Sequence, residues 1–148
     1  MSHQRCYQPK PHTSGGVWAT LGVPESGAEL LTLIQAGFPF SMIEPLSQLL
    51  NMTPLQLARY LRMSTSTLRR RRLAGHFNPE ESDRLYRTAK VVVAVLQLYE
   101  GRVHQTLRWM TEPQYGLGGR RPITLLMTSV ESDAVLQLIG RLEYGALA

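Results

Sequence analysis

The sequence predicts an all-α protein, and three observations lead to that prediction. Apolar residues recur at the three- and four-residue spacing of amphipathic helices along most of the chain. The pairs Thr53-Pro54 and Asn78-Pro79 are typical helix starts, because a polar cap precedes a proline whose missing N–H costs little in the first turn. We find no convincing pair of strands and no internal repeat. A chain of 148 residues, 43% apolar and 18% charged, can form one compact domain or two small helical lobes.

The first twenty residues show no helical periodicity and include the pair Gly15-Gly16. They are expected to form a flexible N-terminal arm, 1–20, which is mobile or becomes ordered on a partner, with Trp18 packing locally. Two helices should follow, the first ending near Gly37 and the second covering about 41–51.

The next two helices are short and are separated by a tight turn. Thr53 caps the first of them, and Ala58 provides the small side chain over which a second helix can cross closely. Ser64 caps the second helix. Arg62 stands at a turn position where glycine is frequent, and a positive φ there would cost on the order of 1–2 kcal/mol. This is the outline of a helix–turn–helix DNA-binding domain, expected at 21–77.

Basic charge is concentrated in these two helices. Six of the sixteen basic residues lie between Arg59 and Arg72, with no acidic residue among them, so this segment supplies the whole formal charge of +5. Such a patch points to the phosphates of duplex operator DNA. The residues expected to contact DNA are Arg62, Ser64, Thr65, Ser66, Thr67, Arg69, Arg70, Arg71 and Arg72. One or two arginines should read bases while the others meet phosphates. The alternative is a solvated cationic face, or one that docks an acidic protein.

A capping box opens the longest predicted helix, with Asn78 as the cap, Pro79 next and Glu81 three residues on. The helix should run to Glu100. Its second half, 91–99, is apolar around most of its circumference and must be covered on more than one side. A second copy could cover it, and a homodimer would also place two recognition helices roughly 34–36 Å apart on DNA. Packing between two lobes of one chain could use the same surface.

Beyond the long helix, the sequence predicts a short helix around Trp109, a glycine-rich loop at 113–119 and a last amphipathic helix ending at Gly145. Together with the long helix, these elements make up a second helical unit at 78–148.

Composition and motifs argue against several classes of protein. Cys6 is the only cysteine, so no disulfide framework exists within the chain, and no Cys/His grouping has zinc-site spacing. The glycines at 116, 118 and 119 do not form a phosphate loop, and no catalytic set has a local signature. We therefore expect no enzymatic activity, no catalytic residue, no cofactor and no metal. Without a signal-peptide run or a membrane-crossing stretch, the chain is expected to be cytoplasmic.

The most specific motifs lie in the C-terminal half. They are NPEESDRL at 78–85, WM at 109–110, LGGRRP at 117–122 and GRLEYG at 140–145. In this succession the chain resembles the Xre/MbcA/ParS-like antitoxins over roughly residues 40–148. The resemblance implies an Xre/Cro-like helix–turn–helix domain followed by a small helical toxin-binding domain. It also implies a RES–Xre type II toxin–antitoxin pair, in which the antitoxin shields the active site of a RES-domain toxin that consumes NAD⁺, and represses its own promoter.

The resemblance assigns toxin binding to the loop and the last helix. The residues are Gly118, Gly119, Arg120, Arg121, Arg141, Glu143, Tyr144, Gly145 and, in the closing segment, Ala148. Glu143 or the terminal carboxylate could serve as the anion for a pocket that binds phosphates. Plainer roles exist: the glycine pair as a turn that needs positive φ, Tyr144 as a core or dimer anchor, and Arg141 as a cap of the last helix. An ordinary helix–turn–helix transcription regulator with a dimerising or ligand-sensing lobe is the competing function.

Overall fold

A computed structural model describes residues 14–145; the expectations that fall on 1–13 and on Ala148 lie outside the described residues. Between residues 14 and 145 the secondary structure is helical, without a β-strand, which confirms the all-α prediction. The helices are α1 Ser14–Leu21, α2 Ala28–Ala36, α3 Ile43–Leu49, α4 Pro54–Tyr60, α5 Thr65–Ala74, α6 Pro79–Leu98, α7 Val103–Thr111 and α8 Ser129–Gly145. Short 3-10 helices lie at Phe40–Met42, Tyr115–Leu117 and Pro122–Thr124.

The helix α1 corrects the expectation of an arm over residues 1–20. Residues from Ser14 onward are helical, and α1 packs against α3 and α6. Trp18 is only 4% exposed, and its ring lies 5.6 Å from that of Tyr86 on α6. Tertiary burial of an apolar face stabilises a short helix that its own sequence would not support alone. The expectation was therefore wrong for residues 14–20.

The long helix α6 lies at the centre of the molecule and packs against α1, α2, α3, α7 and α8. In its second half, Val91, Val92 and Val95 are fully buried within the single chain, whereas Ala94, Leu98 and Tyr99 are half-buried. Of the two ways to cover this segment, packing within the chain is therefore the one observed. A second copy therefore has no access to Val91, Val92 and Val95.

The helix starts follow the local sequence. The capping box of α6 is present as predicted, with Asn78 and Glu81 exchanging side-chain and backbone hydrogen bonds. Thr53 caps α4, and Gln56 completes a capping box there too. These caps satisfy backbone N–H groups that have no partner inside the helix. Among the described helices, none is both long and apolar enough to cross a membrane.

Candidate DNA-binding and partner-binding surfaces

The turn between α4 and α5 has the geometry that the sequence predicts. Arg62 adopts a left-handed conformation with φ of 55°. The N–H of Met63 donates to the carbonyl of Ala58 at 2.8 Å, which brings the two helices close together. Ala58 is fully buried beneath this crossing, where a larger side chain would separate the helices.

The N-terminal turn of α5 presents short polar side chains. The hydroxyl of Ser64 accepts a hydrogen bond from the N–H of Thr67 at 3.1 Å, so Ser64 serves as the helix cap. Thr65 and Ser66 are exposed, whereas Thr67 is half-buried. Ser64 is exposed as well, and its hydroxyl lies 3.1 Å from that of Ser66.

Four of the arginines expected to contact DNA are exposed. Arg62, Arg69, Arg70 and Arg72 all lie on the surface. The Nη2 of Arg70 donates to the hydroxyl of Thr67 at 3.3 Å. The guanidinium of Arg72 lies 5.7 Å from the centre of the Phe40 ring, in the arrangement of a cation–π pair. Both contacts reduce the freedom of these side chains and leave their charge on the surface.

Arg71 departs from the expectation that it faces DNA. Its Nε donates to Oε1 of Glu81 on α6 at 2.6 Å, and the carboxylate is itself buried. The reason is helical periodicity: Arg71 follows Leu68 by three residues, so both side chains lie on the inward face of α5. Arg71 belongs to the packing between α5 and α6, and its assignment as a DNA contact is corrected.

The outward face of α5 also carries Leu73, which the pattern of charges in the sequence does not single out. Its side chain is 82% exposed. Leu73 follows Arg70 by three residues and Arg69 by four, which places the three side chains on one strip of the helix. The same periodicity, applied to the sequence, would have found it.

A compact loop separates α7 from α8. The N–H of Gln114 donates to the carbonyl of Arg120 at 3.0 Å, and the N–H of Gly119 donates to the carbonyl of Gln114 at 2.9 Å. Gly118 and Gly119 have φ of 67° and 79°, so the plainer role, a turn that requires positive φ, is present. The turn leaves Arg120 and the following Arg121 exposed.

This loop is fixed against the last helix. A Cβ built on Gly116 would lie 2.6 Å from Cδ1 of Leu138, so the loop backbone packs directly on the side of α8. Tyr115 is fully exposed beside this contact. The loop and α8 are therefore in direct contact.

The last turns of α8 are exposed as well. Arg141, Glu143, Tyr144 and Gly145 all lie on the surface. Tyr144 is 76% exposed, which excludes the alternative that it anchors the core of its own chain. The structure thus places the expected toxin-binding residues between 118 and 145 on exposed positions of the C-terminal half.

The fold and its two surfaces define a class: a helix–turn–helix protein with an arginine-rich second helix, followed by a second helical half that exposes a glycine-containing loop and the end of α8. Comparison with known proteins specifies the family. Residues 29–90 match the Antitoxin Xre-like helix-turn-helix domain. Residues 94–145 match the Antitoxin Xre/MbcA/ParS C-terminal toxin-binding domain. The two matched regions meet within α6, the helix against which both halves pack.

Two full-length relatives carry the name Antitoxin Xre. The relative from Yersinia enterocolitica serotype O:8 is 35% identical over 147 residues, which cover 97% of this chain and 99% of the relative. The relative from Photorhabdus laumondii is 27% identical over 144 residues, which cover 91% of this chain and 93% of the relative. The chain belongs to the Xre antitoxin family, as the motifs of its C-terminal half indicate.

Proposed function

We propose that this protein neutralises a RES-domain, NAD⁺-degrading toxin through its C-terminal half and represses its own promoter through α5. The proposal depends on one observation: the chain has two exposed surfaces, and each lies in a different one of the two matched regions. The arginines of α5 lie in the helix–turn–helix region, and the loop with the end of α8 lies in the toxin-binding region. The protein acts by binding, without an enzymatic activity of its own, in the cytoplasm where operator DNA and NAD⁺ are found.

The chemistry of the C-terminal surface supports the proposed toxin contact. A site that binds NAD⁺ must accommodate phosphates and is therefore electropositive. Glu143 offers an exposed carboxylate to such a site, and the adjacent exposed Tyr144 offers an aromatic ring to its walls. Arg120 and Arg121, on the neighbouring loop, can pair with carboxylates at the rim of the toxin.

The chemistry of α5 supports operator binding in the same way. Exposed guanidinium groups neutralise phosphates and form bidentate hydrogen bonds with guanine. We propose that the DNA-binding form is a homodimer, because a pair of recognition helices doubles the length of sequence that is read. Light scattering of the purified chain, free and on DNA, tests the dimer.

Co-expression with the neighbouring gene tests the toxin assignment. We expect a RES-type neighbour, expressed alone, to stop growth and deplete cellular NAD⁺, and this chain to restore both. A reporter gene behind the chain's own promoter tests repression in the same cells. A neighbour that remains toxic and NAD⁺-depleting in the presence of this chain would contradict the toxin assignment, and an unrepressed reporter would contradict the repressor assignment.

A further inference from the structure

The first two turns of α6 hold three separate segments of the DNA-binding half through polar side chains. Glu81 accepts from Nε of Arg71 on α5 at 2.6 Å. The hydroxyl of Ser82 accepts from the N–H of Phe38 at 2.8 Å. The Nη1 of Arg84 approaches the carbonyl of Leu61, at the end of α4, at 3.4 Å. We call Glu81, Ser82 and Arg84 the polar clamp.

Glu81 is a rigid anchor within this clamp. The oxygen that accepts from Arg71 also accepts from the backbone N–H of Asn78 at 3.0 Å. The N–H of Glu81 in turn donates to the side chain of Asn78 at 2.7 Å. Glu81 is 5% exposed, and a buried carboxylate must remain paired because desolvation penalises an isolated charge. The capping box therefore fixes the position of the group to which Arg71 is bound.

Backbone hydrogen bonds hold the two ends of α5: the N–H of Met63 donates to the carbonyl of Ala58 at 2.8 Å, and the N–H of Phe40 donates to the carbonyl of Gly75 at 2.9 Å. The inward face between these ends has few side-chain contacts. Leu68 is the one side chain of α5 that is buried. A single buried side chain holds a helix near the core but leaves its rotation about that point weakly defined. Arg71, almost one turn further along the same face, supplies a second point of attachment. Together with the bonds at the two ends, Leu68 and Arg71 favour the rotation of α5 in which Arg69 and Arg70 face outward.

We infer that Arg71 is a positioning residue for DNA recognition, acting through Glu81 to hold Arg69 and Arg70 toward the duplex. The inference rests on the proposed operator binding. It differs from a direct DNA contact in a measurable way, because a contact contributes charge to the interface whereas a positioning residue contributes geometry.

The first experiment measures how DNA affinity depends on salt. The probes are a duplex from upstream of the chain's own gene and an unrelated duplex of equal length. The slope of log affinity against log salt concentration changes by about 0.9 for each phosphate neutralised. We expect Arg71→Met to weaken binding to the upstream duplex about fivefold or more, the worth of one base contact, with the slope unchanged. The matched variant Arg70→Met should reduce the steepness of the slope by about one unit.

A conservative variant separates charge from geometry at the same position. Arg71→Lys keeps the positive charge, and a phosphate contact would tolerate the exchange. Lysine has no nitrogen at the place from which Nε of Arg71 donates to Glu81. Positioning therefore predicts that Arg71→Lys loses affinity for the upstream duplex to a similar extent as Arg71→Met.

Substitution of Glu81 tests the inference further, because charge and positioning predict opposite changes in DNA affinity. Glu81→Gln removes a negative charge close to the basic helix, and Coulomb attraction alone would then strengthen DNA binding. Positioning predicts weaker binding to the upstream duplex. It also predicts that Arg71→Met combined with Glu81→Gln weakens binding no further than either variant alone, because the two residues act as one unit.

Each result has a defined meaning. A reduced salt slope in Arg71→Met, full affinity in Arg71→Lys, or tighter binding by Glu81→Gln would overturn the inference. Circular dichroism identifies a temperature at which each variant is folded; if Arg71→Met does not fold, the Arg71→Lys and Glu81→Gln results decide. Toxin neutralisation should stay at the wild-type level throughout. If the wild-type chain binds the upstream and the unrelated duplex equally, the repressor proposal itself is contradicted. Failure of the repressor proposal can therefore be told apart from failure of the inference about Arg71.

Discussion

Gly37 lies against the backbone of Phe77 so closely that no side chain fits between them. A Cβ on Gly37 would lie 2.0 Å from the carbonyl oxygen of Phe77, and the φ of Gly37 is 95°. The N–H of Phe77 also donates to the carbonyl of Phe38 at 2.9 Å, so the two backbone segments are tied together. This contact joins the segment after α2 to the segment before α6, beside the polar clamp.

Gly37→Ala should therefore be severely destabilising. Left-handed strain costs about 1–2 kcal/mol, and the collision with a backbone carbonyl adds about 1–3 kcal/mol. We expect the free energy of unfolding, measured by urea denaturation, to fall by about 3 kcal/mol. Gly22→Ala is the matched control, since Gly22 has φ of 74° with nothing within 4 Å of an added Cβ. If the free energy of unfolding fell equally in the two variants, backbone strain alone would account for the effect of Gly37→Ala, without a collision with Phe77.

The exposed arginines should govern the salt dependence of DNA binding. Arg70→Ala and Arg72→Ala each remove a surface guanidinium that the fold leaves free of carboxylates in the described part of the chain. We expect weaker binding to the upstream duplex and a flatter salt dependence in a gel-shift titration. Arg108→Ala serves as the control, because its exposed side chain pairs with Glu112 on α7. Unchanged titrations for the Arg70 and Arg72 variants would count heavily against α5 as the DNA-binding helix.

Local signals in the sequence were sufficient to predict the starts of α4, α5 and α6 and the turn between α4 and α5. The caps at Thr53, Ser64 and Asn78 and the positive φ of Arg62 depend on residues within a few positions, and all four are present in the structure. The glycine turn at 118–119 is of the same kind.

The predictions for α1 and for Arg71 were wrong because contacts between residues distant in sequence determine the structure there. The helix α1 is stabilised by the burial of Trp18 against Tyr86, 68 positions away along the chain, which no local pattern reveals. Four consecutive arginines cover nearly a full helical turn and cannot all face the groove, but charge alone does not show which of them turns inward. The inward direction of Arg71 follows from the position of Leu68, and its partner Glu81 also takes part in the capping box of α6. Combining periodicity with charge would have separated Arg71 from the others.

Leu73 provides a test of which face of α5 meets the duplex. An exposed apolar side chain beside Arg69 and Arg70 can contact the methyl group of thymine in the major groove. We expect Leu73→Ala to weaken binding to the upstream duplex by about 1 kcal/mol, with little change on an unrelated duplex. Replacing thymine by uracil in the upstream duplex should produce the same loss for the wild type and no further loss for the variant. If Leu73→Ala lost as much affinity for the unrelated duplex as for the upstream duplex, Leu73 would lie outside the part of the interface that reads bases.

The end of α8 should be required for toxin neutralisation and dispensable for DNA binding. Deleting residues 144–148 removes the exposed Tyr144 and the segment beyond α8, while the core contacts of α8 near Leu138 remain. We expect the truncated chain to lose protection of cells that express the RES-type neighbour and to keep its affinity for the upstream duplex.

Two point variants locate this effect on α8. Tyr144→Ala should reproduce part of the loss, because truncation removes a large aromatic contact from a partner interface. Val130→Ala is the control: Val130 is 78% exposed on the same helix, but it lies fourteen residues from Tyr144, or about 21 Å along the axis. Cells are scored for growth and NAD⁺ content, and a truncated chain that still protects them would remove the end of α8 from the mechanism.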